Sequence, residues 1–373
     1  MPPKRTKPHT VGSASFDPDK FFDEWTSERA PQGNNLQTAV IDAFNLKSTD
    51  DYVYHAIASV TLPQVQSAIN HGASNGMHAW YLYDDAKKRD APPSADIKAY
   101  TDIFLSTTVI TKALTAFAAN AKKESTRAEV AKHLQSNLHL PPTSSKLALP
   151  SKLKVPHKNP YLDYWIWSCQ CLEWTGPTPG TAMIQQSHHI LPVLYHHFGC
   201  VCPTYDALSL VQQVCRGSNK NDASKSIVEV GSGNGYWAYL LRRIGLTVHA
   251  VDNEASLWRT TWIGDTIIAD GISFLHSPPG PYKELGKGAN NAVLLLVYPQ
   301  VTADFTGKVI RAYEGDTIIV AGTQNTNGFT AFKGETIAEW MARERPEYER
   351  IWQIPLPSFA GKDEAFFIFK RVV

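Results

Sequence analysis

The chain of 373 residues predicts a layered α/β fold, with a sheet in its second half and a mainly helical N-terminal region. Three observations predict it. Ile227–Asn253, IVEVGSGNGYWAYLLRRIGLTVHAVDN, runs from a short apolar stretch through three alternating glycines into an amphipathic stretch and a second apolar run. After it, β-rich runs alternate with helical stretches to the end of the sequence. Before it, from Leu36 to Leu138, apolar residues recur at helical spacing.

Residues 1–32 are polar and broken by Pro and Gly, and they read as a flexible tail in which FDPDKFFDEW packs onto the body as one short turn. Residues 33–140 form the helical region. NLQTAVIDAFNL and TLPQVQSAINHGASNGMHAWYLYDDAKK carry helical patterns, Pro92 and Pro93 interrupt them, and DIKAYTDIFLSTTVITKALTAFAANAKK resumes. In STRAEVAKHLQSNL, Thr126 with Glu129 three residues on marks a helix start. Residues 141–160, PPTSSKLALPSKLKVPHKNP, read as a mobile extended connector between two lobes. Its lysines, Lys146, Lys152, Lys154 and Lys158, keep it in water or touch a phosphate backbone. Residues 161–373 form the α/β domain, its sheet core starting at about 226. The domain opens on YLDYWIWSCQCLEW, Tyr161–Trp174, with three tryptophans and two tyrosines. Such a block is core, an interface seam or a stacking surface for bases. With the helical region it is the candidate contact for a protein or RNA partner. The expected strands follow as SIVEV, TVHAVD, TIIAD, AVLLLVYP and DTIIVAGT. AFKGETIAEWMARERP is a helix, and RIWQIPL with EAFFIFKRV makes a closing antiparallel pair.

Composition narrows the function. Hydrophobic content of 43% and charged content of 19% fit a globular protein with a sizeable core. A net charge of +1 gives no bulk attraction to nucleic acid or anionic membrane. The apolar run Ala292–Tyr298 is far too short to span a bilayer, so no membrane partner is expected. MPPKRTKPHTVGS has no apolar core behind its basic residues and is not a secretory signal, which leaves a cytoplasmic location. Cys169, Cys171, Cys200 and Cys202 form two CxC pairs near His188, His189, His196 and His197. CxC is tighter than the usual CxxC zinc knuckle, so these read as buried thiols and no metal is expected.

Gly231, Gly233 and Gly235 follow directly on a strand. Without Cβ atoms, the turn can be tight and a ligand can lie against backbone, with the N–H groups of the next helix pointing at it. Glu229 puts a carboxylate at this cradle, where a pyrophosphate is repelled and an ammonium is welcome. Asp252 ends the second strand, where a carboxylate accepts from ribose hydroxyls. A ligand with a ribose, a positive amino group and no phosphate fits. A nicotinamide dehydrogenase does not, since its glycine spacing is GxGxxG.

ExGxGxG with an acid at the end of the next strand resembles the class I S-adenosylmethionine-dependent methyltransferases. The resemblance implies a seven-stranded, Rossmann-like sheet of order 3-2-1-4-5-7-6, with the seventh strand antiparallel. It implies S-adenosylmethionine as cofactor, with Gly231, Gly233 and Gly235 beneath its methionine part. Glu229 would anchor the loop and amino end, Asp252 would hold the ribose, Asp270 would face the adenine amine, and Ile272 would lie under the ring. From Pro203 onward, VEVGSGNGYWAYLL, LLLVYPQ and GDTIIVAG look like a poorly characterised methyltransferase-like branch. There the fourth strand ends in an aromatic, two prolines and another aromatic. Here Tyr298-Pro299-Gln300-Val301 lacks the second proline and the closing aromatic, which leaves the target atom open.

Tyr298 and Gln300 are the catalytic candidates, with Thr323 at the end of the next strand. Trp237 packs under the loop, and Trp258 and Trp262 close the pocket or pack the sheet face. Arg259 and Asp265 read as surface residues, and His188 or His189 could serve as a base. The expected function is methyl transfer to an unknown substrate by in-line displacement in an aromatic-lined pocket. The alternative is a degenerate methyltransferase fold acting as a binding or structural subunit, as in a nucleoprotein assembly.

Overall fold

In the computed structural model, the short apolar runs of the second half pair into one seven-stranded sheet. The structure describes residues 7–56, 58–75, 78–82, 88–142, 145–184, 186–216 and 224–372. Residues 1–6 of the expected tail, 143–144 of the expected connector, and 76–77 and 83–87 of the second helical pattern lie outside the described residues. The strands are β1 (Ser226–Val230), β2 (Val248–Asp252), β3 (Ile267–Ile268), β4 (Ala292–Val297), β5 (Thr317–Thr323), β6 (Tyr348–Pro355) and β7 (Glu364–Arg371). Their order is β3-β2-β1-β4-β5-β7-β6. β7 runs antiparallel to both neighbours, and the remaining pairs are parallel. This is the strand order of the class I methyltransferase fold. The central strands are apolar throughout because both faces are covered.

Side chains alternate between the two faces. Val228, Leu294, Ile318 and Phe367 face one core, packed with Phe274, Val309 and Trp340 of the helices Gly271–His276, Phe305–Ala312 and Ile337–Glu344. Ile227, Leu295, Ile319 and Phe366 face the other, which runs without a break to Phe21, Phe44, Tyr100 and Trp165. The helical region therefore forms one layer of the sheet's core, and the expected division into two lobes at residues 141–160 is corrected. Within that layer, Ser125 and not Thr126 caps the helix Thr126–Ser136.

Three further expectations change. Residues 7–32 are not a flexible tail. His9–Thr10 pairs antiparallel with Thr260–Thr261, Asp17 caps the helix Pro18–Asp23, and Phe21, Phe22 and Trp25 are buried. Burying three such aromatics, each worth roughly 1.5–3 kcal/mol, outweighs the polar composition around them. The connector has no helix or strand among its described residues before Pro160, but it is tied down. Leu153 donates its amide to the Ser106 carbonyl (2.8 Å), His157 to Ser106 Oγ (2.7 Å) and Ala148 to Gln213 (3.1 Å). Prolines removed some donors, and these amides found fixed acceptors. The aromatic block is no stacking surface. It forms the helix Pro160–Cys171 and the turn after it, with Tyr161, Tyr164, Trp165 and Trp174 in the core and Trp167 half-buried. No helix among the described residues is long and apolar enough to cross a membrane.

Phe21 stacks 5.1 Å from Phe44 and meets Trp262 edge-on at 5.4 Å. Phe21→Ala should lower the unfolding free energy by about 3–5 kcal/mol in urea titrations. A loss below about 1 kcal/mol would mean that this segment is not core.

Candidate functional site

A cleft of about 300 Å³ opens at the C-terminal ends of β1, β2 and β4, where ligands bind in open α/β sheets. The loop after β1 forms its floor. Gly231, Gly233 and Gly235 all have left-handed φ, at 77°, 55° and 78°. A Cβ on Gly231 would meet nothing within 4 Å, so this position faces open space beside the backbone. A Cβ on Gly233 would come within 2.8 Å of the Trp258 indole, which covers the loop. The helix Tyr236–Arg243 starts directly behind it.

Asp252 braces this loop. Its Oδ2 accepts from the Gly233 amide at 2.9 Å and its Oδ1 from the Glu254 amide at 2.6 Å. A carboxylate has about four acceptor sites, so two remain for a ligand. Glu229 lies deeper, 1% exposed, with Oε2 lacking any protein partner. Burial pushes its carboxyl up to about 8, against a nearby Arg242 that pulls it down. Ser232 Oγ is likewise buried and unpartnered. Asp270 lines the rim and is exposed, while its Oδ1 caps the next helix by accepting from the Ser273 amide (2.8 Å). Hydrogen bonds from the Ser273 amide and hydroxyl hold its carboxyl below the usual range.

At the other end, Tyr298, Pro299 and Gln300 continue the wall beyond β4, with Phe305 beside them. Tyr298 has a left-handed φ of 51° and donates its amide to the Ala321 carbonyl at 2.7 Å. Gln300 is exposed, and its backbone carbonyl accepts from Thr306 Oγ1 (2.8 Å).

The structure thus brings Glu229, Gly231, Gly233, Asp252, Asp270, Tyr298 and Gln300 to one cleft, while Gly235 caps the helix Tyr236–Arg243 against Ile263 and does not line it. Ile272 is not part of it. As the second residue of the helix Gly271–His276, it packs against the core on the other sheet face. Thr323 is held away by Thr330, at 2.7 Å between the hydroxyls. Trp258 covers the loop, Trp237 is buried beneath it and donates to the Val201 carbonyl (2.9 Å), and Trp262 belongs to the core. Arg259, expected at the surface, is 1% exposed and paired with Asp50 under the Tyr52 ring. His188 is buried, its Nδ1 accepting from the Leu191 amide (3.1 Å), and burial pushes both His188 and His189 down to the neutral form; neither lines the cleft. Among the described residues, no three His, Cys, Asp or Glu side chains converge as metal ligands. Sequence reasoning missed Phe198–Cys200, which reaches the cleft because the helix Leu191–Phe198 ends against Asn234 of the loop. No local pattern announces that contact.

No protein-family model matches the chain, and no curated protein matches it. Among solved structures, it is similar to an S-adenosylmethionine-dependent methyltransferase from Anabaena variabilis (12% identity over 40% of this chain and 77% of that one, TM-score 0.28). A second is 1,6-didemethyltoxoflavin-N1-methyltransferase from Burkholderia thailandensis (12%, 45% and 79%, 0.30). A third is magnesium protoporphyrin IX methyltransferase from Synechocystis (10%, 51% and 88%, 0.31). Similarity at this level does not reach substrate or activity.

Burial of Glu229 has a consequence for stability. Its ordinary value is 4.5. Between there and about 8 the unfolded chain releases this proton and the folded chain keeps it, so stability falls as pH rises through that window. Glu229→Gln should therefore gain on the order of a few kcal/mol over wild type at pH 9, and nothing near pH 4, in denaturant unfolding. An equal effect at both pH values would contradict the buried acid.

Proposed function

We propose that the protein is an S-adenosylmethionine-dependent methyltransferase. The observation that carries this reading is the pair of carboxylates across the glycine cradle: Glu229, with a buried oxygen that lacks a partner, and Asp252, with acceptor sites to spare. A cationic amino group satisfies the first and ribose hydroxyls the second. A pyrophosphate would meet the Asp252 carboxylate and leave Glu229 without a cationic partner.

When bound, S-adenosylmethionine supplies a methyl group already activated on a sulfonium. The chain's own residues have to position and exclude water. Gly231 leaves the floor open to backbone approach, Trp258 covers the loop, and Asp252 fixes both the loop and the ribose. Tyr298 and Phe305 wall the far end with rings, where the acceptor group must lie in line with the methyl. Gln300 orients that group through its amide. Tyr298 acts as a neutral phenol, because burial pushes its hydroxyl far above the usual range.

The second reading is a methyltransferase fold kept as a binding subunit. It is favoured by the missing second proline after Tyr298 and by Gln300 standing in solvent. Calorimetry separates the two. S-adenosylmethionine should bind and NAD should not. Asp252→Ala should lose about tenfold to a hundredfold in affinity, one charge-assisted bond being worth roughly 1.5–3 kcal/mol. Tyr298→Ala should keep cofactor affinity within a few fold while turnover falls. No binding to wild type at millimolar cofactor would remove the transferase reading, and full affinity in Asp252→Ala would remove the assignment of the ribose.

A further inference from the structure

β6 ends the sheet on its side, and it carries a bulge. In its ladder with β7, Arg350 lies opposite Phe369 and Gln353 opposite Phe367, and the register shifts between Arg350 and Trp352. Residues opposite each other share a face, and Phe367 and Phe369, two positions apart, share one as well. Arg350 and Gln353 are three positions apart and would face opposite ways in a regular strand. The extra residue, Ile351, turns them to the same side. That side holds a cavity of about 460 Å³ against the helix Ile337–Glu344. It shares no lining residue with the cleft. Phe367, Phe369 and Met341 give it apolar lining, and Arg350, Gln353 and Gln324 give it polar lining.

The polar groups form one chain, and its direction is fixed at both ends. The buried Asp363 is paired with His133 at 2.8 Å and accepts from the Gln324 amide nitrogen at 2.8 Å. A carboxylate only accepts, so Gln324 turns its NH₂ to Asp363 and its carbonyl the other way. That carbonyl accepts from the Gln353 amide nitrogen at 2.8 Å. The Gln353 carbonyl in turn accepts from Arg350 Nη1, and a guanidinium only donates. Both glutamine carbonyls are therefore spent within the chain. Each glutamine keeps one amide hydrogen and Arg350 keeps most of its N–H groups, so these three side chains have donors left and no carbonyl. Arg350 is half-buried, and burial lowers its ordinary value with no carboxylate holding it up. Glu339, the one carboxylate of the lining, is exposed and turned to its own helix start, where it accepts from the Thr336 amide and hydroxyl at 2.8 and 2.9 Å. Bulges that re-aim a side chain recur beside functional sites.

We propose that this cavity binds a small carboxylate with a flat apolar body. Its carboxylate accepts from Arg350 and from the spare amide hydrogens of Gln353 and Gln324, and its body lies against Phe367, Phe369 and Met341. A guanidinium matches a carboxylate with two parallel bonds, and an acceptor-only group leaves none of these donors facing another donor. The cavity has the size of small-molecule pockets. The chain to Asp363 and His133 sets both glutamines before a ligand arrives, which lowers the cost of ordering them on binding. The site stands apart from the cleft and does not rest on the methyltransferase reading.

Benzoate is the probe, titrated into the full chain and followed by ligand-observed NMR. Benzamide, which keeps the ring and loses the charge, and acetate, which keeps the charge and loses the ring, are the controls. Benzoate should bind wild type in the millimolar range, and each control about tenfold more weakly or worse. Arg350→Gln should weaken benzoate by about tenfold or more, the worth of one charge-assisted bond. Should that variant fail to fold, Ala342→Trp carries the test. Ala342 is exposed on the helix and lines the cavity, so an indole there takes up its space and should abolish binding. Benzoate failing to bind wild type at tens of millimolar, binding no better than benzamide or acetate, or binding equally to wild type and either variant would each overturn the site.

Discussion

Two hydrogen bonds from the Asp252 carboxylate, to the amides of Gly233 and Glu254, hold the arrangement on which the site depends. They fix the end of β2 against a loop whose three glycines all sit at left-handed φ. That conformation costs side-chain-bearing residues energy and leaves glycine free to adopt it. With the loop fixed, Glu229 is held at the deep end of the cleft and Trp258 can lie directly over Gly233. The Trp258 segment is in turn anchored behind itself. The buried Arg259 pairs with Asp50, and Thr260–Thr261 pairs with His9–Thr10. The N-terminal residues thus reach the cleft through the cover of its loop.

The helical region also answers a problem of the sheet. β7 enters antiparallel between β5 and β6, and its turn projects at the same end as the cleft. Left in water, that turn would be an ordinary charged loop. Here Trp165, Trp174 and His133 close over it and bury three consecutive charged residues. One of the three is paired within the protein, and two are left with unmet hydrogen bonds beside the aromatic end of the cleft.

The sheet was legible because its signals are local. The apolar runs of β4 and β5, the glycine spacing and the acid at Asp252 each declare themselves within a few residues, and the strand order followed from the resemblance they carried. The rest is decided at long range. His9–Thr10 is a two-residue strand with no period to read, and its partner lies some 250 residues away. Polar composition marked residues 1–32 as tail and 141–160 as mobile linker, yet in their described residues amides that find fixed acceptors make ordered segments whatever their hydropathy. The aromatic block Tyr161–Trp174 held its three readings open until packing chose core. Ile272 failed for a different reason. The helix begins at Gly271, and the second residue of that turn faces the sheet. Nothing local marks Lys362, Asp363 and Glu364 as buried, and only the covering helices decide it.

The central claim is that Glu229 waits as a buried neutral acid for a cationic ligand group. Counting protons released on cofactor binding tests it most directly. Calorimetric titration of S-adenosylmethionine at pH 7 in two buffers of different ionisation enthalpy gives that count. A carboxyl held at about 8 and drawn down by an ammonium should give up most of one proton in wild type, and none in Glu229→Gln. Binding with no proton released by wild type, or with the same count in both proteins, would contradict the account.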